Sequence, residues 1–219
     1  MNKVVYLSHP LSKDTLLYGG VNDIHIDQNT AINNGDTANS LTLSFPNHAG
    51  TYIDVPYHFF EDGKKMTEYD ASFWIFNDPI CIDVPGEDGY LVKYEDVANS
   101  IKAETDLLLI RTGYEKHRYK KIYWQKNPGL SVDLATKLRT NHQNIRAVGI
   151  DVIAISSRLH REEGRKAHRE LLGGHYDSQP IVLVEDMSLI NLTTDISQVM
   201  IFPLLIKEAD GAPCTAIAQ

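Results

Sequence analysis

The chain has 219 residues, 42% of them hydrophobic, with 29 acidic against 21 basic side chains and a formal net charge of −8. That length buries one good core, and the acidic balance argues against a nucleic-acid surface, which needs clustered Lys and Arg. Cys81 and Cys214 are the only cysteines and lie far apart, which excludes a disulfide framework and a cysteine zinc motif, so any metal has N and O ligands. The apolar run in residues 1–7 soon meets Ser, His and Pro, too short for a signal-peptide core or a membrane span. The default expectation is a soluble cytoplasmic protein whose partner is a small molecule rather than a nucleic acid or a membrane.

In chain order, residues 4–8 read as a first strand closed by Pro10, and residues 24–26 and 41–45 as further strands, the latter alternating Leu, Thr, Leu, Ser, Phe. Residues 80–84 form a short β-branched strand between Pro79 and Pro85, and 94–103 a modest helix. The run Leu107-Leu-Leu-Ile110 predicts a buried strand over 106–112. The basic residues 116–121 read as a solvated face or loop. Ser131 is placed to cap an amphipathic helix over 131–141. Residues 147–153 predict a strand, and 160–172 a polar helix closed by Gly173 and Gly174. Residues 181–184 are a buried strand ending at Glu185, and 199–206 and 215–217 the last strands. Strands outnumber helices, and no repeat or linker divides residues 1–219, so the pattern fits a single mixed α/β domain with a β-rich core.

The most informative stretch is His48-Ala-Gly-Thr-Tyr-Ile-Asp54-Val-Pro-Tyr-His58. In an extended run alternate residues share a face, and His48, Tyr52, Asp54 and His58 are all even-numbered. Pro56 bends the chain, so His58 arrives from a turn. Imidazoles and a carboxylate converging on one point suit a divalent cation; a satisfied polar patch is the plain alternative for each residue alone. Glu185 ends an apolar strand and needs a strong partner or a metal if buried, or caps a helix or faces water if the strand has emerged. His168 sits in a charged helix where a solvated histidine is ordinary.

This stretch resembles the signature H-x-G-T-H-x-D-x-P-x-H of the cyclase-type metal-dependent hydrolases, which include bacterial arylformamidases (kynurenine formamidases) and isatin hydrolase. The resemblance continues through Leu109-Ile-Arg-Thr-Gly113, Asn127-Pro-Gly-Leu-Ser131, Ala147-Val-Gly-Ile-Asp151, His168-Arg-Glu-Leu-Leu172, Ile181-Val-Leu-Val-Glu185 and Ala209-Asp-Gly-Ala-Pro213. It implies a swivelling β/β/α fold, metal ligands at His48, Asp54, His168 and Glu185, and His58 as a proton donor and acceptor. His175 competes with His168 for the ligand role, and the Leu171-Leu172 pair favours His168. Tyr18 falls where arylformamidases carry an aromatic residue that holds the substrate, and family members are commonly homo-oligomers, dimers or larger.

Tyr52 departs from the pattern, standing where the family has a ligand histidine. A phenol has a pKa of about 10 and must lose its proton to bind metal well, so one Zn or Mn ion is expected ahead of two, with Tyr52 lining the substrate pocket. The expected function is metal-dependent hydrolysis of a small amide, lactam or lactone, with His58 as acid and base. Two other readings stand beside it: a binder of small molecules whose metal site is lost or altered, and a lyase or isomerase using His58 and Tyr52.

Overall fold

Apolar runs without alternation demand burial on both faces. In the computed structural model of the chain, Leu107–Arg111, Ala147–Ile150 and Val182–Glu185 meet that demand inside a nine-stranded sheet. The structure describes residues 4–21, 23–174, 176–193 and 195–219, and the strand count refers to these. The three strands run parallel, with Pro79–Asp83 parallel at the outer edge beside Leu107–Arg111. Beyond Val182–Glu185 every pairing is antiparallel: Tyr52–Asp54, then Gly211–Ala218, which also pairs with Val5–Tyr6, then Val199–Pro203 and Ile75–Phe76. The parallel and antiparallel halves meet between Tyr52–Asp54 and Val182–Glu185.

Successive strand residues face opposite sides of the sheet. Leu108, Val148 and Leu183 turn to the side covered by the helices Val132–Asn141 and Arg161–Leu172. Leu107, Ala147 and Val182 turn to a second core with Leu7, Ile53 and Trp74. Ser131 caps the first helix, its Oγ accepting from Leu134 N at 3.1 Å. Arg139 of that helix donates to the carbonyls of Glu170 and Leu171 at 2.8 and 2.9 Å. It thereby fixes the end of the second helix, whose last carbonyls lack helical partners.

Several expected elements change length for local reasons. The helix expected over 94–103 is one turn, Tyr94–Val97, since Asn99 and Ser100 favour turns over helix interiors. The strand expected over 147–153 ends at Ile150, where Asp151 turns its carboxylate to Thr112 N and Gly113 N, both at 2.8 Å. The strand expected over 199–206 stops at Pro203, while that over 215–217 extends to Gly211–Ala218. Strand residues 24–26 and 41–45 become the ribbon of His25–Thr30 and Ser40–Ser44, outside the main sheet.

The basic stretch 116–121, expected to be solvated, buries Arg118, which is 3% exposed. Its Nε and Nη2 reach the Asp186 carboxylate at 3.0 and 2.7 Å, and Tyr123 OH donates to the same carboxylate at 2.6 Å. Removing one partner of a buried pair costs about 3–5 kcal/mol, because the other charge is left alone. Arg118→Met is therefore expected to lower the urea midpoint sharply, and Arg118→Met with Asp186→Asn to recover part of the loss. A double variant no more stable than the single would show that the pair's charge is not the reason for its burial.

Candidate active site

The seam of the sheet builds the site. Cross-strand register sets Tyr52 opposite Glu185 and Asp54 opposite Leu183 on one side and Gly211 on the other. Tyr52 and Asp54 share a face, as their even spacing requires. Pro56 then opens the one-turn 3-10 helix Pro56–His58, closed by His58 N donating to Val55 O at 2.9 Å, and His58 comes back toward Asp54 from that turn. His48 arrives over Gly211, where a Cβ would lie 2.5 Å from His48 Nε2; only glycine leaves room for the ring.

His168 comes from the helix on the other side. A Cβ on Gly164 would lie 2.5 Å from Ser156 Cα, so this glycine lets the helix close on the 151–157 loop. His168 Nδ1 donates to Gly164 O at 2.9 Å, which turns Nε2 toward the carboxylates.

The resulting cluster is tight. His48 Nε2 lies 3.2 Å from Asp54 Oδ1, and His168 Nε2 lies 3.7 Å from Asp54 Oδ2 and 3.5 Å from Glu185 Oε1. Two trios, His48–Asp54–His58 and Asp54–His168–Glu185, share Asp54, each with ligand atoms within 4.8 Å of one another. Glu185 and Asp54 are 1% and 2% exposed, so Glu185 has not emerged into solvent. Glu185 Oε1 accepts from Ile155 N at 2.6 Å, and Oε2 accepts from Tyr52 OH.

Burial alone raises the Asp54 pKa, but the imidazoles of His168 and His48 outweigh it and hold the carboxyl well below the usual range. Burial lowers the His168 pKa, yet Asp54 and Glu185 push it up to about 10. Burial and the neighbouring Glu185 and Asp54 carboxylates push the Tyr52 phenol well above its usual value, so it stays a neutral donor.

All the expected residues line one cavity of about 260 Å³: His48, Asp54, His58, His168 and Glu185 with Tyr18 and Tyr52. His175 lies outside the described residues. Other members of the site carried no role in the sequence reading. Asp210 Oδ2 accepts from His58 Nδ1 at 2.7 Å, while Asn47 Nδ2 donates to Asp210 Oδ1 at 2.7 Å. The block Ala209-Asp-Gly-Ala-Pro213 held that signal, because an aspartate entering a strand beside Gly211 shares the seam with Asp54. Arg161 and Arg165 also line the cavity, and their spacing from His168 on one helix was the available clue.

The donor set fits a divalent cation. Among the described residues, His48 Nε2 and Asp54 Oδ1 are buried without any hydrogen-bond partner although they face each other. Buried polar atoms are rarely left so. Bonds of about 2.0–2.2 Å place tetrahedral ligand atoms about 3.3–3.6 Å apart, close to the 3.2 Å between His48 Nε2 and Asp54 Oδ1 and to the 3.5 and 3.7 Å from His168 Nε2 to Glu185 Oε1 and Asp54 Oδ2.

In chelator-treated protein, folded His168 keeps its proton up to a pH of about 10, whereas the unfolded chain releases it near the ordinary 6.5. The folded state binds more protons across that window, so this contribution is complete below 6.5 and fades as pH rises toward 10. Urea midpoints measured across that range should fall, and His168→Gln should flatten the slope. An unchanged slope in His168→Gln would assign the dependence elsewhere.

The chain is similar to the kynurenine formamidase of Bacillus mycoides (strain KBAB4), at 26% identity over 213 residues, covering 97% of this chain and 95% of that protein. Its fold is shared by isatin hydrolase A from Labrenzia aggregata bound to benzyl benzoate, with a TM-score of 0.83 at 21% identity, covering 99% of this chain and 93% of that one. A structure titled as a predicted metal-dependent hydrolase from Bacillus stearothermophilus gives 0.77 at 19% identity, covering 99% and 97%. The family model described as "Putative cyclase" matches residues 5–157, and with that match over most of its length the chain belongs to the cyclase family.

Proposed function

We propose that this protein is a metal-dependent hydrolase of a small amide, an arylformamide in the first instance, with lactams and lactones as related substrates. The observation that carries the reading is the pair of buried, unpartnered atoms His48 Nε2 and Asp54 Oδ1, set in a cavity beside a histidine–aspartate dyad. The kynurenine formamidase relative supports the substrate class. His48, Asp54, His168 and Glu185 would hold one Zn or Mn ion, both suited to nitrogen and carboxylate donors. The chemistry such a cation supplies when bound is polarisation of a carbonyl and acidification of water.

The chain's own groups account for the proton movements. Asp210 accepts the Nδ1 proton of His58, which fixes the tautomer and leaves Nε2 as the acceptor. His58 takes a proton from the attacking water as its oxygen bonds to the carbonyl carbon. It returns that proton to the leaving nitrogen as the carbon–nitrogen bond breaks. Asp210 stabilises the imidazolium between the two transfers. Tyr18 and Phe59 offer aromatic walls to a flat substrate.

Two measurements test these assignments. Asp54→Asn should lose both metal, read by elemental analysis, and formamide hydrolysis. His58→Ala should keep the metal and lose about 10²–10⁴-fold in turnover, the usual contribution of a positioned acid or base. Loss of metal in His58→Ala would make His58 a ligand and overturn its proton role.

Tyr52 separates one ion from two. Its hydroxyl donates to Glu185 and occupies an oxygen that a second ion would share. Tyr52→His exchanges a phenol for an imidazole donor, so it should raise metal stoichiometry toward two and increase the melting-temperature gain on adding Zn or Mn. Unchanged stoichiometry would show that Tyr52 is not what limits the site to one ion.

A further inference from the structure

A tight turn carries the cavity wall at Tyr18. Gly20 N donates to Leu17 O at 2.9 Å. Gly19, third in the turn, has a φ of 87°, the left-handed conformation that a type II turn needs at that position. Tyr18 is second in the turn and lines the cavity with His58 and His168. Leu17 before it is anchored in a small apolar cluster with Ile24 and Ala49, and Ala49 follows His48 in the chain. Tyr18 itself packs only in part against the core, in company with Leu16 and Trp124.

Trp124 closes on this turn. A Cβ on Gly20 would lie 2.4 and 2.5 Å from Trp124 Cζ2 and Cε2, so only glycine lets the turn settle on the indole. Glycine offers that ring no side chain to pack on, so the contact fixes the position of the backbone rather than filling a core. The Arg158 guanidinium approaches the same ring, 6.0 Å from its centroid, at the outer range of a cation–π contact. Trp124 stands on the one-turn helix Ile122–Gln125. Its neighbour Tyr123 is buried and donates to Asp186 at 2.6 Å. One short helix thus grips both the turn that carries Tyr18 and the residue beside Glu185.

We propose that Trp124 is a positioning residue: it holds the turn Leu17–Gly20 in place, so that Tyr18 presents a fixed aromatic wall to a substrate ring. The effect on substrate rests on the amide-hydrolase reading, whereas the hold on the turn does not. Trp124 is not among the residues that line the cavity, so its influence on binding passes through Tyr18. A wall ordered before binding spares the substrate the cost of ordering it. Such a wall serves bound substrate and transition state alike, so it lowers KM and leaves kcat unchanged.

The test uses metal-loaded protein and formanilide, an uncharged aryl amide. Trp124→Ala should raise KM about three- to tenfold, the scale of one aromatic contact, with kcat held within about twofold. Trp124→Phe should restore most of the loss, and Tyr18→Ala should raise KM at least as much as Trp124→Ala. Adding Trp124→Ala to Tyr18→Ala should cost nothing further, because both act on one contact. An unchanged KM, an additive double variant or a loss carried by kcat overturns the assignment. If the wild type does not hydrolyse formanilide, the amide reading fails for this compound, and hydrogen exchange decides the positioning separately. Trp124→Ala should then speed exchange of the Gly20 amide about tenfold or more, while strand amides such as that of Leu109 keep their rates. A Gly20 amide that exchanges as in the wild type overturns the hold of Trp124 on the turn.

Discussion

A carboxylate buried at the seam of the sheet constrains everything around it. Asp54 lies on the strand where parallel and antiparallel halves meet, and an ionised carboxylate there costs several kcal/mol unless it is matched. The matching comes from elements far apart in sequence: His48 before the strand and His168 from the helix Arg161–Leu172. Asp151, Glu185 and Asp186 are buried to the same degree, and each is satisfied differently. Asp151 takes backbone N–H groups, Glu185 a phenol and a backbone N–H, and Asp186 a guanidinium and a phenol. The first of these arrangements is closed, whereas beside Asp186 the Arg118 Nη1 atom is buried without a hydrogen-bond partner among the described residues. The cluster around Asp54 and Glu185 combines unpartnered atoms with a cavity that its own side chains line.

Glu185 and Asp186 show how the backbone keeps the two clusters apart. Asp186 adopts a positive φ of 52°, a conformation uncommon for a residue with a side chain. Glu185 faces Tyr52 in the cavity, while Asp186 turns to Arg118 and Tyr123. Thr51 Oγ1 donates to Asp186 O at 2.6 Å, tying that turn to the strand that carries Asp54. The strain of the αL turn is held in place by these contacts. The Arg118 pair thus stabilises the fold and also fixes the direction of the neighbouring Glu185.

The legible parts of the sequence were those governed by local rules. Ser131 before an amphipathic run, the apolar Leu107–Ile110 segment and the even spacing of Tyr52 and Asp54 each follow from a period or a cap, and each stands in the structure. His58 on a turn after Pro56 follows from proline's fixed φ. What stayed hidden depends on register between distant strands. Arg118 sits among lysines and has the look of a solvent-facing residue, until Asp186 claims it across 68 positions. Asp210 meets His58 across 152 positions, because Gly211 pairs with Asp54 in the sheet. No local pattern marks the first contact, and for the second the block Ala209-Asp-Gly-Ala-Pro213 marks the aspartate but not its partner.

Tyr52 shows how a single residue can alter such a site without disturbing its frame. Its strand register opposite Glu185 is set by backbone hydrogen bonds, so the ring stands in the same place whatever its chemistry. An imidazole there offers a lone pair, whereas a phenol held neutral by burial and two nearby carboxylates offers a proton. That proton satisfies Glu185 Oε2, while Oε1, which accepts from Ile155 N, and the Asp54 oxygens lie 3.2–3.7 Å from the Nε2 atoms of His48 and His168. A phenol at this position acts as a hydrogen-bonding support for its neighbour, where an imidazole would act as a lone-pair donor. On the proposed assignment, the remaining donors, two imidazoles and two carboxylates, would balance the charge of one divalent cation. A second cation would require Glu185 to give up the Tyr52 proton, leaving the phenol hydroxyl hydrogen-bonded only to Ile153 O.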